Sequence, residues 1–270
     1  MALFDDLTFF ILTYNRDAVV PTLEVLHKYN IFDNVYLVVG KDDPKLNEIV
    51  ARYKDLVLIF DKATVQHDVD SIGSYRNTLK LCTYARVFVD KYAMCNGLRY
   101  ICILFDDIHS LQLRYEDCGK IKSSKNFDLK SLLCQYIDLL NSNQNVYMVG
   151  PPSSSFYIGC NVDTLNKIAT HYGNMIIYDT KKPLIRYKAS VLEDMTIVLY
   201  NSMIGHIGLF PFGLQVNCRK AGVTSDAYMN ISKHEYVQQW QIMTRTFNND
   251  KLVIPYSKFI PKIVSDKYRK

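Results

Sequence analysis

The sequence predicts an α/β fold: an open, mostly parallel sheet flanked by helices, in a single domain. Three observations lead there. Over residues 7–60, short apolar runs rich in β-formers alternate with segments of helical period. Polar or turn-forming residues close each run, as in Thr13-Tyr-Asn-Arg16 and Gly40-Lys-Asp-Asp-Pro44. Hydrophobic residues make up 49% of the 270, enough for a sizeable core, and no repeat, low-complexity tract or linker divides the chain.

Taken in order, Leu7–Thr13 reads as a buried strand and 17–29 as a helix, with Val19, Leu23 and Leu26 on one face and Asn30 as its stop. A second strand spans 34–39. A second helix spans Leu46–Tyr53, with Leu46, Ile49, Val50 and Tyr53 apolar, and a third strand spans 56–60. This β-α-β-α-β opening defines a parallel sheet, and such sheets bind ligands beyond the carboxyl ends of their strands. The segments to examine are therefore 13–16, 40–44 and Lys62 onward. Further on, 76–92 reads as a long helix, and Tyr100–Phe105 as a strand running directly into Asp106-Asp107. A less regular stretch precedes a helix over 129–140. A strand at Val146–Val149 is closed by Gly-Pro-Pro-Ser-Ser-Ser. Helices are expected over 162–172, 192–203 and 234–246, with a loop or short strands over 205–213 and a basic tail from Lys258.

Charge and cysteine usage narrow the function classes. The net charge of +5 is mild, and suits either a polyanionic partner or an enzyme handling a nucleoside diphosphate. Seven cysteines with no Cys-x-x-Cys pair argue against a zinc knuckle or a disulfide scaffold and for a reducing compartment. Asp5 and Asp6 stand where a secretory leader would be basic, and no apolar run reaches the ~18 residues of a membrane span. A soluble, cytoplasmic protein without a membrane partner is expected.

The sharpest chemical signal is Ile101-Cys-Ile-Leu-Phe-Asp-Asp-Ile108. Paired carboxylates at the exposed end of an apolar strand suit a hard cation such as Mg²⁺ or Mn²⁺, with diphosphate oxygens completing its shell. A solvated turn is the plainer account of the same residues. Upstream, Ser71-Ile-Gly-Ser-Tyr-Arg-Asn77 opens a helix: Gly73 lets backbone N–H groups approach a phosphate, and Arg76 can pair with phosphate or with a loop carboxylate. An ordinary helix start capped by Ser74 accounts for it equally.

The order of these features resembles the GT-A glycosyltransferases: Thr13-Tyr-Asn-Arg16, then Asp42-Asp43, then Gly73 with Arg76-Asn77 before a helix, then the strand ending in Asp106-Asp107, then Leu192-Glu-Asp-Met195. The resemblance covers about the first four-fifths of the chain, and it implies a metal-dependent glycosyltransferase using a UDP-sugar. It implies that Thr13, Tyr14 and Arg16 line the nucleotide pocket, with Tyr14 stacking on the base, and that Asp42 or Asp43 hydrogen-bonds base or ribose. Gly73 and Arg76 would sit by the ribose and diphosphate. Asp107, with Asp106, would occupy the metal position. The family's pattern there is Asp-x-Asp, whereas this chain reads Asp-Asp-Ile-His, which leaves open which carboxylate touches metal and whether His109 joins it. Among the later histidines His234 is the preferred additional metal ligand, ahead of His206. Asp194, with Glu193 second, would be the base that takes the acceptor proton, although acidic residues also favour helix starts. By the same resemblance residues 1–115 would form the nucleotide-sugar half and 116–270 the acceptor half.

A narrower resemblance is to the small glycosyltransferases of phages and of the base J pathway. It implies a hydroxymethylated pyrimidine in DNA as acceptor, reached by base flipping, with Lys181, Lys182, Arg186, Lys188, Lys258 and Lys262 available to phosphates. Three other readings stay open. The acceptor is a glycan, protein or small molecule. The enzyme is a nucleotidylyltransferase, which wants a Gly-rich basic loop where Tyr14-Asn-Arg16 stands. Or the chain is a non-catalytic nucleic-acid-binding protein, which needs no metal.

Overall fold

The computed structural model describes residues 2–16, 19–65, 82–159, 161–166, 174–182, 197–198, 201 and 205–218. Apolar runs become strands of one central sheet: β1 (Leu7–Thr13), β2 (Val35–Gly40), β3 (Val57–Phe60), β4 (Tyr100–Phe105), β7 (Val146–Val149), β8 (Met175–Asp179) and β9 (Ile207–Leu209). Their order is β3-β2-β1-β4-β8-β7-β9. β1 pairs in parallel with both β2 and β4, β2 with β3, and β7 with β9, whereas β8 runs antiparallel to both of its neighbours. The sheet is thus mostly parallel, as predicted.

All seven residues of β1 are buried, because both faces of the sheet are covered. Leu7, Phe9 and Ile11 face one core, shared with Leu23 and Leu26 of α2 (Pro21–Lys28), Ile49 of α3 (Leu46–Tyr53) and Leu133, Ile137 and Leu140 of α5 (Leu129–Ser142). Phe10 and Leu12 face the other, against Tyr84, Val87 and Val89 of α4 (Cys82–Cys95). Short helix α1 (Ala2–Asp5) precedes β1. No helix among the described residues is long and apolar enough to cross a membrane.

Several expectations need correction. Helix α2 starts at Pro21, not at 17. The residue before a proline is driven out of the helical region, and Val20 is extended at φ −101° and ψ 102°. Val19, expected on the buried face, is 42% exposed. The supposedly irregular stretch after Asp107 is a hairpin of β5 (Ile108–Asp117) and β6 (Lys120–Ser124). Its turn places Cys118 and Gly119 at φ 51° and 74°, the pair of left-handed residues that a tight hairpin requires. β10 (Leu214–Cys218) pairs with β5 to make a second, three-stranded sheet. Strand β8 was not anticipated either. Over residues 161–166 the expected helix is a 3-10 turn, Val162–Asn166, where the Asn161 side chain accepts from the Thr164 N–H and hydroxyl. The helix over 234–246 and most of 192–203 lie outside the described residues.

Candidate active site

The sheet's connections run outward in opposite directions from β1 and β4, so a crevice opens between the carboxyl ends of these strands. Its rim is made by the residues that follow β1, β2, β3 and β4. After β1, Asn15 adopts φ 50°, a left-handed conformation that asparagine tolerates. The chain turns there, and the Arg16 guanidinium reaches the Asp106 carboxylate beyond β4 at 2.8 Å. The Tyr14 backbone N–H also donates to Asp106. Burial raises the Asp106 carboxyl above the ordinary aspartate range, while Arg16 and the Tyr14 N–H pull it partway back.

Helix α2 clamps the Asp106-Asp107 turn from beneath. The Thr22 hydroxyl donates to the Phe105 carbonyl at 2.6 Å and accepts from the Ile108 N–H at 3.0 Å. The Thr22 N–H reaches the Asp106 carbonyl at 3.4 Å. These bonds fix where strand β4 stops and β5 begins, and so where the paired carboxylates stand.

Asp107 is partly exposed. Among the described residues no lysine or arginine is paired with it, in contrast to Asp106. Its neighbour is Cys218 at the end of β10, close enough for the Asp107 charge to act on the thiol. The Asn174 side-chain amide donates to the same sulfur at 2.7 Å. Burial and the adjacent carboxylates hold that thiol far above the usual cysteine range, so it stays protonated at neutral pH.

The rim beyond β2 and β3 has its own ion pair. Lys62 is only 5% exposed, donates to Asp42 at 2.8 Å and lies 4.8 Å from the centroid of the Tyr14 ring. Gly40 makes this approach possible, since a Cβ there would stand 2.6 Å from Asp42 Oδ1 and 3.0 Å from Lys62 Cε. Asp43 is buried, with Oδ2 accepting from the Asn15 N–H and Oδ1 from the Lys45 N–H. It therefore ties the β2 loop to the β1 loop.

The structure accordingly brings together Thr13, Tyr14, Arg16, Asp42, Asp43, Asp106 and Asp107 on one rim. Gly73, Arg76, Glu193, Asp194 and His234 lie outside the described residues. His109 is exposed on β5. His206 is not brought to the pair: its ring lies 5.4 Å from that of Tyr147 on β7, with β8 between β7 and β4. Lys182, one of the residues offered to DNA phosphates, is half-buried and engaged by the fold itself: its ammonium donates to the carbonyls of Leu140 and Asn143 at the end of α5 and of Val146 at the start of β7. Arg186, Lys188, Lys258 and Lys262 lie outside the described residues.

Sequence reasoning missed Thr22, Asn174 and Cys218, and it named Lys62 only as the start of the segment beyond the third strand, with no role.

The donor set suits a hard cation in part. Among the described residues no cation competes for the Asp107 carboxylate oxygens, but no cluster of three or more His, Cys, Asp or Glu is assembled there either. The remaining positions around a metal would fall to phosphate oxygens and water, which is how Mg²⁺ is commonly held.

No known family pattern matches the chain, and no curated protein matches it in sequence. Solved structures do resemble it. The mannosyltransferase PcManGT of Pyrobaculum calidifontis, in complex with GDP-Man and Mn²⁺, superposes with a TM-score of 0.53 at 12% identity, over 89% of this chain and 63% of that one. The chain thus spans less than two thirds of that enzyme's length. Glucosyl-3-phosphoglycerate synthase of Mycobacterium tuberculosis, with Mn²⁺, UDP-glucose and phosphoglyceric acid, gives 0.45 at 7% identity over 90% and 80%. A cytidylyltransferase of Leptospira borgpetersenii gives 0.39 at 13% identity over 89% and 94%. The fold, as the first of these superpositions shows, is of the GT-A type.

Proposed function

We propose that the chain is a metal-dependent glycosyltransferase that moves a sugar from a nucleoside-diphosphate sugar, UDP-linked in the first instance, to an acceptor hydroxyl. The observation that carries the proposal is the division of labour at the crevice. Asp106 is neutralised by Arg16, and Asp107 stands beside it with no basic partner among the described residues, at the carboxyl end of a parallel strand. A fold shared with a GDP-Man- and Mn²⁺-bound mannosyltransferase supports the same reading.

On this reading Asp107 holds Mn²⁺ or Mg²⁺, which offsets the charge of the departing diphosphate. Asp106 does not ligate but keeps Arg16 and the Tyr14 backbone in place. Tyr14, steadied from one side by Lys62, gives the base a stacking surface, and Asp42 accepts from base or ribose. Thr13 lies buried behind them, and Asp43 fixes the loop that carries Asn15. Gly73 and Arg76 border the diphosphate, His234 joins the metal shell, and Asp194, with Glu193 second, accepts the proton of the attacking hydroxyl. Residues 1–115 serve the donor and 116–270 the acceptor. The finer acceptor reading, a hydroxymethylated pyrimidine in DNA, rests on the sequence resemblance alone, and loses Lys182 from its phosphate contacts.

Thermal stability of the purified chain, measured with Mn²⁺ against a panel of nucleotides and nucleotide sugars, tests the proposal. A melting shift that needs both Mn²⁺ and a nucleoside diphosphate or its sugar is expected. Stabilisation by duplex DNA alone, with none by any nucleotide, would overturn it in favour of a nucleic-acid-binding protein.

A further inference from the structure

Lys62 is the one lysine buried among the described residues, and it stands where three strands deliver their loops. Its backbone is pinned. Lys62 opens the 3-10 turn Lys62–Thr64 after β3, and Asp61 caps that turn by accepting from the Ala63 N–H at 2.9 Å. The Thr64 hydroxyl donates to the Asp61 carbonyl at 2.7 Å, and the Val65 N–H to the Lys62 carbonyl at 3.2 Å. The Lys41 N–H donates to the Phe60 carbonyl at 2.8 Å, which joins the end of β3 to the end of β2. From this fixed base the Lys62 side chain passes Gly40 to reach the Asp42 carboxylate beyond β2 and the Tyr14 ring beyond β1.

A buried ammonium needs a counter-charge, and Asp42 supplies it. The pair is lopsided: the Lys62 side chain is 5% exposed and that of Asp42 is 42% exposed. The cation sits inside and holds its anion at the edge of the crevice. Asp42 Oδ2 accepts from Lys62 at 2.8 Å, while Oδ1 lies against Gly40, in space that a Cβ would fill. The neighbouring Asp43 has both oxygens committed, to the Asn15 and Lys45 N–H groups. Of the two aspartates, Asp42 is therefore the one with an oxygen to offer a ligand. A carboxylate only accepts. Uracil and guanine present a ring N–H beside a carbonyl and satisfy it, whereas cytosine and adenine turn a ring-nitrogen lone pair toward it.

We propose that Lys62 is a positioning residue for base selection: its buried ammonium holds the Asp42 carboxylate at the crevice edge, so that the site takes a nucleoside diphosphate whose base carries an imide-type N–H and rejects one whose base presents a lone pair there. The inference rests on the reading of Asp42 and Tyr14 as partners of the base. Tyr14 serves every base alike, because every base has a π face. Discrimination falls to Asp42, and Asp42 keeps its place through Lys62. Without that cation the half-exposed carboxylate turns to water and no longer tells the bases apart.

The test uses the full chain and compares wild type with Lys62→Met and Gly40→Ala, each titrated calorimetrically with UDP and with CDP, two ligands of equal size, in the presence of Mn²⁺. Wild type should prefer UDP by about tenfold or more, the worth of one hydrogen bond to a charged group. Met keeps the apolar stem and drops the ammonium. UDP binding should weaken about tenfold and CDP binding by less than about twofold, so the preference disappears. Gly40→Ala keeps both charged groups, but its Cβ would stand 2.6 Å from Asp42 Oδ1 and 3.0 Å from Lys62 Cε. Those atoms belong to side chains, so the carboxylate moves and the backbone holds. The preference should fall in the same direction, and this variant reads the same contact if Lys62→Met does not fold. Mn²⁺ should still tighten UDP binding in both variants, because Asp107 is untouched. A folded Lys62→Met variant with the wild-type UDP-to-CDP ratio would overturn the positioning role, as would equal losses for both nucleotides, which a merely structural lysine would give. A wild type that binds UDP and CDP equally well would overturn base selection and leave the transferase reading standing. A wild type that binds neither would bring down the transferase reading, and the role of Lys62 with it.

Discussion

Replacing Asp106 with alanine removes the carboxylate that pairs with the Arg16 guanidinium, whose side chain is only 14% exposed. Removing one partner of a buried ion pair typically costs about 3–5 kcal/mol, because the remaining charge stays desolvated. Arg16 is not fully sealed from water, so the low end applies, about 3 kcal/mol. For a chain of this size that lowers the melting temperature by roughly 6–12 °C. Loss of the acceptor for the Tyr14 N–H acts in the same direction. The assay is urea unfolding of wild type, Asp106→Ala, Arg16→Met and the double variant, with the denaturant slope checked for constancy. If the pair works as described, the double variant is no worse than Asp106→Ala, and the cycle gives a coupling of about 2 kcal/mol. A loss below about 1 kcal/mol for Asp106→Ala, with additive single effects, would refute the argument that Asp106 is committed to Arg16.

Two further outcomes follow from the same geometry. Thr22→Val keeps the shape but removes both the donor to Phe105 and the acceptor for Ile108, and should cost about 1–3 kcal/mol in the same unfolding assay. Burial pushes the Asp90 carboxyl on α4 up to about 8 against the pull of Arg86, so in the folded chain it stays protonated where the unfolded chain has ionised. Its contribution to stability is therefore complete below about pH 4 and is lost as pH rises to about 8; Asp90→Asn should flatten that fall in urea midpoints taken from pH 5 to 8.5.

The parallel half of the fold was legible because each strand is a compact apolar run with clear punctuation. Leu7–Thr13, Tyr100–Phe105 and Val146–Val149 emerge at the bounds read from the sequence. The β5–β6 hairpin was not legible. Its residues are mostly polar and half-exposed, and its turn is Cys118-Gly119 rather than a stronger Asn-Gly signal. Strand β8 is a five-residue run with no period of its own to separate it from a short helix. At the site, the carboxylates stood out because charge at the end of an apolar strand is unusual. Thr22 was invisible because its importance comes from partners more than eighty residues away in sequence, Phe105 and Ile108. Pairing of Arg16 with Asp106 likewise depends on β1 and β4 being neighbours, which follows from topology and not from local pattern.

The most direct test of the account is calorimetric titration of UDP, and in parallel GDP, into wild type and Asp107→Asn, with and without Mn²⁺. The account predicts binding to wild type that tightens at least tenfold with Mn²⁺, and loss of that enhancement in a variant that still unfolds cooperatively. Full Mn²⁺ enhancement in Asp107→Asn would contradict it.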